Sequence, residues 1–548
     1  MTSVFSSERL LFTPATPQAD AVPLVFAFPN EYTVGITSLG YQVVWAKFAT
    51  RSDVDVSRFF TDIHEPLPVD PELFGFSVSW ELDYVNILSV LESLNIPIRG
   101  VDRSESDPLI FGGGPVLTAN PEPFADFFDV VLMGDGEILL DAFIDAYQDV
   151  RHADRATKLR RLAQVPGIYV PSLYHVTYHA PDCAIATITP IDATIPAQIE
   201  KQTYRGNVLS TSTVVTEKAA WENIYMVEVV RSCPEMCRFC LASYLTLPFR
   251  VADVEASLMP AIDRGLQVTD RLGLLGASVT QHPEFETLLD SLNQPKYDHV
   301  RLSIASVRTN TVTEKLTQTL VKHDTKSITI AVESGSDRLR QIINKKLTND
   351  EIIQAAINTK AGGLSALKLY GMAGLPGEEP EDLDQTVAMW RSIKKAAPGL
   401  RLTYGCSTFV PKAHTPFQWF GVNSQAEKRL QFLQKQLRPQ GIDFRPESYN
   451  WSIIQALLSR GDRRLSKLLE LTRHYGDSLG SYRRAFKELR GQLPDLDFYV
   501  YDRWALDQIL PWSHLQSALP PATLQKHLTH ATTQFNAAPN EPQMAGLG

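Results

Sequence analysis

Residues 224–240 read IYMVEVVRSCPEMCRFC. The first eight form an apolar, β-branched run, the pattern of a buried strand. Directly after it comes Cys233-Pro-Glu-Met-Cys237-Arg-Phe-Cys240, which holds three of the chain's five cysteines. Downstream, strand and helix patterns alternate. The later strands are RLGLLGAS (271–278), HVRLSIAS (299–306), SITIAVES (327–334), ALKLYGMAG (366–374) and LRLTYGCSTFV (400–410). Between them lie apolar stripes at helical spacing: Val251, Val254, Leu258 and Ile262; Val312, Leu316 and Leu320; Leu383, Val387, Trp390 and Ile393. Six strand–helix units are too few for a closed eight-stranded barrel. Residues 221–420 are therefore expected to form a partial (β/α)6 barrel, reactive at the carboxyl ends of its strands.

Upstream, the same alternation marks a second α/β unit over residues 22–150. Its strands are VPLVFAF (22–28), LFGFSVSW (73–80), PLIFGG (108–113) and VVLMG (130–134). Its helices are LDYVNILSVLESLNI (82–96) and EILLDAFIDAYQ (137–148). This pattern predicts a parallel sheet covered by helices on both faces, with a ligand crevice at the carboxyl ends of the strands. Residues 1–21 read as a loose lead-in and 151–220 as a β-containing connector. Residues 421–530 read as a helical region and 531–548 as a disordered tail. Within 421–490 there are fourteen Lys/Arg against seven Asp/Glu.

The whole chain of 548 residues carries a formal net charge of −10, with 44% hydrophobic and 21% charged residues. That composition suits a globular enzyme of several units and excludes a disordered chain, a coiled coil or a disulfide scaffold. The acidic balance argues against a globally basic nucleic-acid binder. No apolar stretch approaches the ~18 residues of a membrane span. The N-terminus lacks a basic segment followed by an apolar core. A cytoplasmic, reducing compartment is expected, where cysteines serve as ligands or catalysts more often than as bridges.

Soft thiolates at C-x3-C-x2-C spacing can wrap one metal centre. A structural zinc site normally takes four protein ligands, and no fourth Cys or His lies nearby. Three thiolates on a [4Fe–4S] cluster would leave one iron open to a small molecule. The alternatives are a zinc knuckle in a non-catalytic scaffold, or three unrelated thiols. Cys183 and Cys406 read as small buried hydrophobes.

The cysteine spacing, with the aromatic Phe239 before the last cysteine, resembles the signature of the radical S-adenosylmethionine (radical SAM) superfamily. The resemblance implies that Cys233, Cys237 and Cys240 hold a [4Fe–4S] cluster whose open iron binds the amino and carboxylate groups of SAM. Reductive cleavage then gives methionine and a 5′-deoxyadenosyl radical, in a cavity kept dry. An external low-potential electron donor of flavodoxin or ferredoxin type is implied as partner. Around SAM, the resemblance points to Phe239 beside the cluster and to Gly276 and Ser278 at the end of the second strand. It also points to Arg308 after the third strand, Glu333 and Ser334 after the fourth, and Gly374 after the fifth.

Four further segments resemble a family that joins a B12-binding domain to a radical SAM domain: PNEYTVGITSLG (29–40), FGFSVSWELDY (74–84), GGGPVLTANPEPFADFFDVVLMGDGE (112–137) and FVPKAHTPFQW (409–419). This implies a flavodoxin-like, Rossmann-type N-terminal domain over the barrel mouth. Ser77, Ser79, Gly113, Gly114, Gly134 and Gly136 would then lie along a cobalamin. One departure stands out: the loop after the first strand, FPNEYTVG, lacks the histidine that ligates cobalt in many such domains. Asp62-Ile-His64 is not that motif, and His64 reads as a surface or structural residue. Cobalamin would bind without a lower histidine; otherwise the domain is vestigial or binds substrate.

The expected activity is SAM-dependent radical chemistry on an unactivated C–H bond, with methyl transfer through cobalamin as the subclass. The alternative is cobalamin-free modification of an RNA or protein, held by Arg445, Arg460, Arg463 and Arg464. His414 is expected at the reactive face, either as a proton shuttle or as a structural hydrogen bond in a turn.

Overall fold

A computed structural model of the chain describes residues 4–535. Six strands build the first sheet: β1 (Val22–Ala27), β2 (Val54–Phe59), β3 (Leu73–Ser77), β4 (Leu109–Gly113), β5 (Val130–Leu132) and β6 (Ile168–Tyr169). Their order is β2-β1-β3-β4-β5-β6, and all neighbours are parallel except the edge pair β5–β6. The order changes direction between β1 and β3, which opens a crevice at their carboxyl ends. Helices α1 (Leu39–Ala49), α2 (Tyr84–Ser93) and α3 (Gly136–Gln148) accompany the sheet. The central strands β3 and β4 are buried through their first four residues because both sheet faces are covered.

The edge strand β2 was not expected. Its sequence, VDVSRF, is only partly buried, so it carries no continuous apolar run. Arg58 on this strand is buried, and a buried guanidinium needs a counter-charge. Glu8 supplies it, at 2.8 Å and with its side chain only 1% exposed. Arg9–Leu10 pairs with Val214–Val215. The expected loose lead-in is thus stitched to the fold by a buried charge pair and a short ladder. β6 extends the first sheet past the expected boundary at residue 150. The rest of the connector contains an antiparallel hairpin of Tyr174–Tyr178 with Ile185–Pro190. Cys183 lies at its tip and is exposed, not a buried hydrophobe as expected.

The second unit has β7 (Ile224–Glu228), β8 (Arg271–Leu275), β9 (Arg301–Ile304), β10 (Ser327–Glu333), β11 (Ala366–Ala373), β12 (Arg401–Thr408) and β13 (Asp443–Pro446). The six expected strands are present, and β13 is a seventh. Two parallel ladders, β7-β8-β9 and β10-β11-β12-β13, meet through a parallel bridge between Val307 and Ile330. Helices α4 (Leu241–Leu245), α5 (Asp337–Ile342), α6 (Asn349–Ala361) and α7 (Pro380–Ala396) follow strands of this unit. The stripe Leu383, Val387, Trp390 and Ile393 is buried on α7, as its spacing requires. Cys406 is buried in this second core.

Helices α8 (Ala426–Leu437), α9 (Tyr449–Arg460), α10 (Leu465–His474), α11 (Leu479–Glu488) and α12 (Pro521–Thr533) make up most of the C-terminal region. α12 buries Leu524, Leu528 and Ala531, so ordered helix continues past the expected start of the tail at residue 531. The remainder of that expected tail, 536–548, lies outside the described residues. One core joins the first sheet, α9 to α12 and part of the cysteine loop. Residues just past β12, including Phe409 and Phe417, lie in the same core, so the carboxyl end of the second sheet faces the N-terminal unit. Among the described residues no helix is long and apolar enough to cross a membrane.

Candidate active site

The three cysteines lie in the loop between β7 and α4, at the carboxyl end of the second sheet. Cys237 is buried, and Cys233 and Cys240 are partly covered. Burial pushes the Cys237 thiol up to about 12, opposed by Lys345 and reinforced by Cys240, Glu333 and Cys233. Burial also raises Cys240, with Cys233 adding to the rise. Two thiols so buried, Cys237 and Cys240, do not ionise together unless a cationic centre joins them. Among the described residues no three His, Cys, Asp or Glu side chains are spaced for a single metal ion. An iron–sulfur cube places each thiolate on a separate iron and so needs a wider spread than a zinc knuckle does.

The loop is held from two sides. On one side, Cys233 Sγ lies 4.0 Å from Gln281 Oε1. Gln281 Nε2 donates to Glu235 Oε1 at 2.5 Å. Glu235 pairs with Arg308 at 3.1 Å. On the other side stands the segment after α5. Arg238 N donates to Ile343 O at 2.9 Å. Asn344 Nδ2 donates to Met236 O at 2.8 Å and to Glu235 O at 3.2 Å. Lys345 Nζ reaches Glu333 Oε1 at 3.2 Å. Glu235, Gln281, Asn344 and Lys345 were absent from the sequence reading. Glu235 inside the cysteine run was the one available signal; the others sit in segments with no helical or strand periodicity.

The residues expected around SAM fall at the ends of neighbouring strands. Gly276 has φ +149°, and a Cβ there would meet Val230 O at 2.6 Å, so its place beside the first strand requires glycine. Ser278 is buried and its hydroxyl donates to Gln281. Arg308 already spends three nitrogens within the protein: Nε on Asn310, Nη2 on the carbonyl of Lys346 and Nη1 on Glu235. Glu333 has φ +66°, an uncommon conformation for a side-chain-bearing residue. Ser334 is buried, its Oγ accepting from Ser336 N at 3.1 Å. Gly374 N donates to Glu378 Oε2 at 2.7 Å. Phe239 packs on the core shared with the N-terminal unit. Gly374 therefore stands apart from the hydrogen-bonded chain that joins Cys233, Ser278, Gln281, Glu235 and Arg308.

In the first unit, Ser77, Ser79, Gly113, Gly114, Gly134 and Gly136 line one cavity of about 500 Å³. Its other walls include Phe76, Phe111 and Leu140, and it extends to Arg231, two residues before Cys233. Arg231 pairs with Glu137 and Glu228, each at 2.7 Å.

Other expected residues have structural duties. His64 is exposed and stacks on Phe59. His414 is buried at φ +62°, with Nε2 3.0 Å from Ala119 O. Of the four arginines considered for an anionic substrate, Arg460 is buried over Trp504 and Arg463 pairs with buried Glu122. Arg464 pairs with Asp462, and Arg445 with Asp443.

Residues 227–389 match the model described as the radical SAM superfamily. Residues 55–171 match the model described as radical SAM proteins, N-terminal, a description that names no cobalamin. An uncharacterized protein of Methanocaldococcus jannaschii is 26% identical over 450 residues, covering 82% of this chain and 90% of its own. An uncharacterized methyltransferase of Pyrococcus horikoshii is 22% identical over 352 residues, covering 61% of this chain and 67% of its own. Among solved structures, the radical SAM methyltransferase TsrM of Kitasatospora setae, with cobalamin and a [4Fe–4S] cluster bound, has a TM-score of 0.49 at 12% identity. That match covers 73% of this chain and 74% of TsrM. The chain is a radical SAM enzyme, with the superfamily's domain at residues 227–389 behind a radical SAM N-terminal domain at residues 55–171.

Proposed function

We propose that Cys233, Cys237 and Cys240 hold the [4Fe–4S] cluster, and that the enzyme uses SAM and cobalamin to methylate an unactivated C–H position. The observation that carries the reading is the placement of three thiols on one covered loop at the carboxyl end of the second sheet. We read that sheet as a partial barrel, and the first sheet, with its 2-1-3-4-5 strand order, as flavodoxin-like.

When bound, the cluster and SAM together supply a 5′-deoxyadenosyl radical after one electron enters from an external low-potential donor of flavodoxin or ferredoxin type. The chain's residues prepare that step. Gly276, Ser278, Glu333 and Ser334 present backbone and short polar groups at the strand ends, on the side where SAM would lie. Glu235, Asn310 and the Lys346 carbonyl hold the Arg308 guanidinium in place, so that it would offer the site a fixed positive charge. Gly374 would close the far side, beside an adenine. Met236, Phe239, Tyr244 and Leu245 pack into the shared core and keep water from the loop.

The cavity on the first unit supports cobalamin. Six residues chosen for their positions at strand ends surround one apolar hollow, and its wall leads through Arg231 to the cysteine loop. Ser77 and Ser79 would meet polar edges of the ligand, and the glycines would let a flat group lie against the backbone. RNA modification through the basic C-terminal region is not favoured, because Arg460, Arg463 and Arg464 are committed to covered intramolecular partners and only Arg445 of the four stands exposed.

Anaerobic reconstitution with iron, sulfide, SAM and a cobalamin tests the reading. About four irons and four sulfides per chain, corrinoid absorbance that survives gel filtration, and 5′-deoxyadenosine on reduction are expected. One zinc per chain would overturn the cluster assignment. A loaded protein that takes up no corrinoid would overturn the cobalamin assignment alone.

A further inference from the structure

Lys345 is a buried lysine beside the cysteine loop. Its side chain is 12% exposed, and its one carboxylate partner is Glu333 at 3.2 Å, itself 10% exposed. The neighbouring backbone fixes its place. Asn344, at φ +57°, binds the carbonyls of Glu235 and Met236 through its side chain. Arg238 N binds Ile343 O, and the Arg238 guanidinium binds Gln341 O at 2.9 Å. Residues 343–344 are thus bonded to residues on both sides of Cys237, and Lys345 comes next in the chain.

We infer that Lys345 is a positioning residue whose fixed positive charge raises the reduction potential of the cluster held by Cys233, Cys237 and Cys240. This rests on the cluster assignment above. Burying an ammonium costs free energy unless opposite charge lies close. Glu333 provides one such charge, and thiolates on a cluster would add to it. Net charge and burial around the sulfurs are among the quantities that set such potentials. Adding one electron makes the site more negative, and a nearby cation stabilises that state more than the oxidised one. The bonds from Asn344 to the carbonyls of Glu235 and Met236, and from Arg238 N to Ile343 O, hold that ammonium beside the Cys237 segment. Glu333, at 3.2 Å, anchors the ammonium there.

The test is a redox titration of the reconstituted chain, with dithionite supplying one electron per cluster through mediator dyes and the reduced cluster counted by electron paramagnetic resonance. At the potential where half the wild-type clusters are reduced, Lys345→Met is expected to show roughly tenfold fewer reduced than oxidised clusters, a shift of about 59 mV to more negative potential for one electron. Lys345→Arg is expected to stay near wild type. A Lys345→Met titration that overlays wild type overturns the inference, as does a Lys345→Arg shift as large as that of Lys345→Met. If Lys345→Met holds no cluster, Lys345→Gln is read in the same way, and a wild-type potential there overturns it. Loss of iron from both neutral variants but not from Lys345→Arg supports a charge role; loss from all three overturns it. Wild-type protein that holds no cluster would instead sink the underlying assignment.

Discussion

Glu235, in the middle of the cysteine run, lies 3.1 Å from Arg308 at the carboxyl end of the third strand of the second sheet. Both side chains are largely covered, at 13% and 9% exposure, so each is the other's main compensation. Removing one partner of such a pair leaves a charge stranded, while removing both does not. Glu235→Gln and Arg308→Met are each expected to cut iron retained per chain after desalting by at least half. The double variant should lose no more than the worse single. Additive losses in the double variant would show that the two side chains act independently.

Cys237→Ala should abolish 5′-deoxyadenosine production while leaving the far-ultraviolet circular dichroism close to wild type. The cysteine contributes little to packing: loss of one small buried group costs on the order of 1 kcal/mol. Undiminished deoxyadenosine from this variant would count decisively against the assignment of the site.

Two glycines of the first unit separate folding from ligand binding. Gly134 has φ +120°, and a Cβ there would lie 2.0 Å from Gln202 O, so Gly134→Ala should yield little soluble protein. At Gly113 a Cβ meets nothing closer than Leu132 O at 3.6 Å, which is ordinary contact. Gly113→Val should fold with a near-normal thermal midpoint yet lose corrinoid absorbance after gel filtration, because its side chain would reduce the cavity. Full corrinoid uptake by Gly113→Val would place the ligand elsewhere.

His414 gives the fold an acid sensitivity. Burial lowers its pKa to about 4, and hydrogen bonding to Ala119 only partly opposes this. The ordinary histidine value is about 6.5, so between pH 6.5 and 4 the unfolded chain binds the proton and the folded chain does not. Stability contributed by neutral His414 is complete above pH 6.5 and declines as pH falls toward 4. The thermal midpoint should drop across that window, and His414→Gln should drop less steeply while starting lower. A His414→Gln profile parallel to wild type would assign the acid sensitivity to other groups.

The strand–helix alternation, the six strands of the second unit and the place of the cysteine run at a strand's end were all legible in the amino-acid order. A residue's periodicity records which of its faces is buried, and that is a local property. The edge strand Val54–Phe59 and the seventh strand Asp443–Pro446 were not legible, because a half-covered edge needs no continuous apolar run. Nor could composition assign partners. The surplus of arginines after residue 420 looked like a surface for an anion, yet Arg460 stacks on Trp504 and Arg463 reaches Glu122, 341 positions away. The same holds for Glu8 under Arg58 and for Lys345 beside the cysteine loop. Which opposite charges meet depends on where distant segments are brought together, and only the folded chain brings them there.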